Sequence, residues 1–174
     1  MTEKELIKQL EQAGLLTSDG QINFRNYKIE HPIRDIKSTD RQKFTNAVYM
    51  LCEMIKVGRK PALYILFATF EDNKQDFKRL ELIPEKLAAI DNDEYIDFIF
   101  DFLEKTKSNA TSRVFIRNLI KWMIRYNNNQ KVIDRLDKLA KSKSFSYRMK
   151  KHFKHAKEAV QGISTFSFYE DHYY

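Results

Sequence analysis

Residues 110–126 read ATSRVFIRNLIKWMIRY. At roughly 100° per residue, Phe115, Ile116, Leu119, Trp122, Met123 and Tyr126 share one side of a helix, and Arg113, Arg117, Lys121 and Arg125 share the other. The pattern predicts a helix that buries one face and displays a cationic stripe about 120° wide. Like charges four residues apart cost an isolated helix roughly 0.2–0.5 kcal/mol per pair. No glutamate lies between them to relieve that cost. The stripe therefore has to be explained by something outside the helix.

The same period extends outward in both directions. Ser108-Asn109 breaks the chain before this helix, and Asn127-Asn128-Asn129 forms a loop after it. Val132, Ile133, Leu136 and Leu139 then predict a further helix. Ser144 reads as the cap of a last helix from Phe145 to about Gln161, closed by Gly162. Upstream, Asp91 or Asn92 caps a helix carrying Tyr95, Ile96, Ile99, Phe102 and Leu103, and a short helix holds Phe77 and Leu80. Pro84 restarts the chain, with Leu87 and Ile90 pointing inward. Pro61 opens a helix with Leu63, Leu66, Phe67 and Phe70, after Gly58 has ended one that buries Phe44, Ala47, Val48, Leu51, Cys52 and Ile55. Thr2 with Glu5 has the spacing of a capping box, and Leu6, Ile7 and Leu10 follow on one face until Gly14. Residues 21–36 read as a short strand or an ordered loop, interrupted by Pro32.

Three prolines and four glycines in 174 residues are too few for the turns of an all-β fold. The sequence therefore predicts an all-α chain. Its expected form is stacked antiparallel helix pairs, as in HEAT-like α-solenoids, or an irregular helical bundle. It reads as a single domain over 1–174, with an N-terminal helix and irregular segment at 1–38, helical repeats at 39–162 and an aromatic tail at 163–174. That tail carries Phe166, Phe168, Tyr169, Tyr173 and Tyr174. The one cysteine, Cys52, falls on an apolar stripe, which fits a core thiol in a reducing compartment. No signal segment or bilayer-spanning run is visible, and a cytoplasmic protein without membrane attachment is expected.

Charge gives the functional expectation. Residues 105–157 hold sixteen Lys and Arg against two acids, Asp134 and Asp137, while the chain as a whole is only +7. A field of that size attracts polyanions. Beside the stripe on 110–126, the next helix presents Lys131, Arg135 and Lys138. The last helix presents Arg148, Lys150, Lys151, Lys154 and Lys157, with His152 and His155 among them. These groups suit phosphate contact, and Phe145 and Tyr147 suit stacking on unpaired bases. Non-catalytic binding of RNA or another single-stranded nucleic acid is the leading expectation. The alternative is a protein-interaction module, an inhibitor or immunity protein, that uses the same face against an acidic partner.

The hundred residues from Gly58 to Lys157 resemble part of the TROVE module, the helical-repeat RNA-binding ring of the Ro autoantigen. The likeness rests on Gly58-Arg59-Lys60-Pro61-Ala62-Leu63-Tyr64, then Tyr95 to Phe102, then Arg113, Arg117, Trp122 and Tyr126. It ends on Phe145-Ser146-Tyr147-Arg148 and His155-Ala156-Lys157. The resemblance implies small non-coding or misfolded RNA as ligand, with Arg117, Lys121, Tyr147, Arg148 and His155 near it. A closed ring of repeats does not fit in this length, and the family's metal-binding companion, marked by Asp-x-Ser-x-Ser, has no counterpart in the sequence.

Catalytic patterns are missing. There is no Gly-rich phosphate loop, no G-x-S-x-G, no H-E-x-x-H and no paired-cysteine zinc site. His152 and His155 have helical spacing, but Glu158 is the only acid near them, so neither a metal nor another cofactor is expected. The acidic cluster Asp91, Asp93, Glu94, Asp97 and Asp101 reads as N-terminal carboxylates on a helix dipole. A HEAT-type DNA-repair glycosylase would need a carboxylate beside exposed aromatics in the basic groove. Trp122 reads as core.

Overall fold

All three prolines lie inside the first turn of a helix, where a missing N–H costs nothing. The computed structural model describes residues 2–87 and 92–163. Among them the regular structure is α-helical: α1 (Glu3–Gln12), α2 (Glu30–Asp35), α3 (Arg41–Lys56), α4 (Lys60–Asp72), α5 (Phe77–Leu80), α6 (Leu82–Leu87), α7 (Asp93–Lys105), α8 (Ala110–Tyr126), α9 (Gln130–Lys141) and α10 (Tyr147–Val160). No helix in the described residues is long and apolar enough to cross a membrane. The Leu87 side chain, Ile90, Asp91 and the aromatic segment from residue 164 onward, all of which carried expectations, lie outside the described residues.

The helices fall into two compact units, Met1–Asp72 and Asn73–Tyr174. The sequence reads as one domain over 1–174, subdivided near 38 and 162. The division comes inside the expected repeat region, after the last residue of α4. The TROVE-like segment therefore straddles it.

In the first unit, Thr2 and Glu5 form the expected capping box on α1, and Gly14 takes φ +68° just past its end. The segment after α1 is an ordered loop with an isolated antiparallel bridge, Leu16 to Ile22. The side-chain amides of Asn23 and Asn26 both donate to the Gly14 carbonyl, at 3.1 and 2.9 Å. The loop then turns into α2, a helix that the sequence did not predict. Pro32 reads in the sequence as an interruption, but it is the third residue of α2 and supplies a preset φ there. α3 packs against both α2 and α4, and its Phe44, Ala47, Val48, Leu51, Cys52 and Ile55 are buried as the period required.

In the second unit, α8 packs on α10 and on the short α5 and α6, while α9 packs on α10 and on α7. The most extensive packing is between the neighbours α9 and α10, and α7 with α9 and α8 with α10 pair across one intervening helix. Leu119, Ile120, Leu136, Leu139, Phe153 and Ala156 are all at most 1% exposed in this core.

Candidate nucleic-acid interface

α8 starts where the sequence allows few alternatives. The Asn109 side chain accepts from the Ser112 N–H at 2.9 Å, and the Ser112 hydroxyl accepts from the Asn109 N–H at 2.8 Å. The same buried hydroxyl donates to the Lys107 carbonyl at 2.7 Å. The helix end and the chain entering it are thus held by one serine. From that anchor, Arg113, Lys121 and Arg125 are exposed and Arg117 is half-buried, so the four-residue stripe exists as a surface feature.

α10 starts two residues later than expected. Ser146, not Ser144, is the cap, its hydroxyl accepting from the Met149 N–H at 3.4 Å. The shift turns Phe145 inward, where it is 3% exposed and meets Phe153 edge to face at 5.0 Å. Phe145 is therefore not available for stacking on a base. Tyr147, the first residue of the helix, is 84% exposed and keeps that possibility. Arg148, Lys151, Lys154 and His155 are also exposed, whereas His152 is buried. Its burial separates it from His155, and no group of three or more potential metal-ligating residues occurs among the described residues.

The cations of α9 have a different fate. Asp93, Asp97, Asp101 and Glu104 recur at intervals of four, four and three along α7, which places them on one face. That face meets α9. Lys131 Nζ lies 2.8 Å from Asp97 and 3.7 Å from Asp93. Arg135 pairs with Asp101, lies 3.5 Å from Glu104 and covers the Phe100 ring at 5.6 Å. Lys138 reaches Glu104 at 2.8 Å. The hydrogen bond to Asp97 is the main reason the Lys131 ammonium is pushed above its ordinary range. Lys131, Arg135 and Lys138, expected on the nucleic-acid face, are thus taken up by an acidic ladder. Asp97 and Asp101 of the acidic cluster serve this ladder and not the helix dipole alone. The spacing of the α7 acids was visible in the sequence. Their pairing with an element two helices on was not, because a period shows which face a residue occupies and not what that face meets.

Asp137 of α9 accepts from Lys157 at 2.6 Å and pairs with Lys141. The hydrogen bonds from Lys141 and Lys157, in that order, bring its carboxyl down to about 2. A folded-state value below the unfolded one, ~3.9, stabilises the fold above that value and stops doing so as pH falls through about 2. We expect Asp137→Asn to lower the denaturation midpoint at neutral pH. The gap between variant and parent should close progressively between about pH 5 and pH 2. A gap of constant size across that range, followed by circular dichroism, would show that the pair does not hold α9 to α10.

Most of the cations left in residues 105–157 lie on α8 and α10. Between their starts is a cleft of about 190 Å³, walled by Ala110, Arg113, Val114 and Arg117 of α8 and by Arg148, Met149 and His152 of α10. Three of the expected contact residues, Arg113, Arg117 and Arg148, therefore meet in one place. Arg113, Arg148, Lys151 and Lys154 have no carboxylate partner among the described residues.

At the other end of α8 the sequence reading needs correction. Trp122 is half-buried and Tyr126 is 44% exposed, so neither is a core residue. Their rings lie nearly parallel, 10° apart with centroids at 6.1 Å. Arg125 stands over both, 5.6 Å from the Trp122 ring and 5.5 Å from the Tyr126 ring, and Lys121 is 6.0 Å from Trp122. Trp122 lies at the edge of the buried arc, and Tyr126 falls in the last turn. Both positions are legible from helical angles, although the sequence reads Trp122 as core. Arg59, in the Gly-Arg segment of the family likeness, is occupied inside the first unit, donating to the carbonyls of Phe24, at 3.2 Å, and of Tyr27. Set against known proteins, the chain matches no family model, no curated protein and no solved structure.

Proposed function

We propose that the chain binds single-stranded nucleic acid, RNA above all, through the faces of α8 and α10, and that it does so without catalysing a reaction. The observation that carries this reading is the contrast with α9. The unit contains enough carboxylates to neutralise Lys131, Arg135, Lys138, Lys141 and Lys157. None of them is placed against Arg113, Arg148, Lys151 or Lys154 among the described residues. α8 carries no acid at all, and α10 carries only Glu158.

Exposed rings support a strand whose bases are unpaired. Tyr147 at the start of α10 and the Trp122–Tyr126 pair under Arg125 offer π-faces beside cations, the combination on which single strands stack. RNA as the particular strand follows from the likeness to the TROVE module, together with a cytoplasmic place of action. Phosphate contacts supply most of the affinity, so it depends on salt.

The test is fluorescence anisotropy of a labelled single-stranded oligonucleotide at several salt concentrations. Each phosphate contact to a single strand contributes about 0.7 to the slope of log affinity against log salt. Four free cations give a slope of about −3. A flat line removes the reading. A copurifying partner that survives nuclease would replace the strand with an acidic protein.

A further inference from the structure

The last turns of α8 set two rings beneath a guanidinium whose hydrogen-bond donors are unused. We propose that Trp122, Arg125 and Tyr126 form a base-reading site selective for guanine, at which one unpaired guanine of the bound strand is stacked and its edge is read by Arg125. The inference rests on the strand-binding reading above and gives that strand a preferred base.

Ring geometry is the first observation. Trp122 and Tyr126 are four residues apart on α8, which makes them neighbours on its surface. Their rings lie 10° from parallel with centroids 6.1 Å apart. Two other exposed tyrosines meet their neighbouring rings edge-on, Tyr49 with Phe24 at 83° and Tyr64 with Phe67 at 75°. An edge-on pair turns one face and one edge toward a flat ligand. A near-parallel pair turns two faces the same way. Trp122 is half-buried and Tyr126 is 44% exposed, so packing holds the indole while the phenol reaches solvent.

Arg125 is the second observation. Its guanidinium is nearly equidistant from the two rings, 5.6 Å from Trp122 and 5.5 Å from Tyr126. The residue is exposed, and neither a carboxylate nor a hydrogen-bond acceptor meets it among the described residues. Cation–π attraction therefore holds the group without using any of its five N–H donors. Arg135 is the contrast. It also lies over a ring, Phe100 at 5.6 Å, but its guanidinium is paired with Asp101.

The donors of a guanidinium form a fork in its own plane. With that plane parallel to the rings, a base bonded to the fork lies beside it and over the same aromatic surface. Guanine fits on both counts. It presents O6 and N7 side by side as acceptors, the commonest specific partner of arginine, and its two fused rings give a wide face for stacking. Adenine sets an amino donor beside its N7, which opposes an N–H of the fork. Cytosine carries neighbouring acceptors, O2 and N3, but on a single ring with less area to stack.

Trp122 is the one tryptophan of the chain, so its fluorescence reports this site. The full chain is titrated at fixed salt with oligouridine strands carrying one central guanine, adenine, cytosine, hypoxanthine or 7-deazaguanine, and with inorganic polyphosphate and guanosine monophosphate. The guanine strand is expected to bind about tenfold tighter than plain oligouridine and to quench the tryptophan. Hypoxanthine, which keeps O6 and N7, should match guanine, and 7-deazaguanine should lose most of the preference. Polyphosphate should bind without quenching. Guanosine monophosphate should bind far more weakly than the guanine strand, because it has one phosphate to offer the cationic faces. Arg125→Lys keeps the charge but not the fork, and should erase the guanine preference while leaving oligouridine binding nearly unchanged. Equal affinity for all five bases, or cytosine or adenine binding as tightly as guanine, overturns the guanine site and leaves strand binding intact. A guanine preference that survives Arg125→Lys also overturns it. Guanosine monophosphate binding as tightly as the guanine strand overturns the strand as the source of the base. Failure of every strand to bind overturns both readings.

Discussion

Replacing Arg113 and Arg148 together by glutamate is expected to weaken single-strand binding by about a hundredfold or more. A hydrogen bond to a charged group contributes about 1.5–3 kcal/mol, and two such groups are removed. At 1.4 kcal/mol per decade, the loss alone is about two to four decades. The glutamates also add repulsion against phosphate. Both arginines are exposed and neither has a carboxylate partner among the described residues, so the fold should survive the change. A control lies one helix away. Lys131→Gln with Lys138→Gln removes two positive charges, against a change of four in the double glutamate variant, and takes them from residues already paired with Asp97 and Glu104. That variant should change affinity only a few-fold. If both pairs of substitutions weaken binding alike, the field is a property of the whole basic segment, and the α8–α10 face has no special role.

That control marks where the sequence stopped being informative. The period placed Arg113, Arg117, Lys121 and Arg125 on one stripe, and the structure keeps them there. Helix ends were equally legible where the cap is a side chain followed by a clear apolar run, as at Asn109 and Asn92. At the start of α10 two serines compete, Ser144 and Ser146. The choice is settled by Phe145, which gains more by burial against Phe153 than by entering the first turn. A local pattern cannot decide this, because the partner ring is eight residues further on and on another turn. α2 was missed for a related reason. A proline breaks a helix in its interior but is tolerated in its first turn, and Pro32 sits in the first turn of α2.

The net charge of residues 105–157 overstated the cationic surface. It counted Lys131, Arg135 and Lys138 without the acids that meet them, which precede that window in sequence and adjoin it in space. The division after Asp72 was hidden as well. Both sides of it are helical with similar apolar content, so composition does not change where the packing does. The surviving positive surface is smaller than the sequence suggested but better defined, since it comes down to two helices and the cleft at their starts.

Phe153→Ala should produce the largest loss of stability of any single change on these helices. The ring is fully buried on α10, edge to face with Phe145, in the helix that packs on both α8 and α9. Deleting a buried phenylalanine ring typically costs about 3–5 kcal/mol, part in lost transfer energy and part in the cavity left behind. Ordinary domains are stable by only about 5–15 kcal/mol, so the variant should unfold at a much lower denaturant concentration. Lys154→Ala, the next residue and exposed, should stay within about 0.5 kcal/mol of the parent. The contrast tests the packing and the binding face together. Arg148 and His152 are held at the cleft by the same helix that Phe153 anchors, so Phe153→Ala should also weaken the oligonucleotide, though it removes no charge. Measured well below the unfolding transition, a loss of binding in Phe153→Ala with no loss of helix content would show that the cleft depends on α10 being seated against its neighbours. Full affinity in a protein destabilised this far would mean that the cations act as a loose cloud, independent of where the core places them.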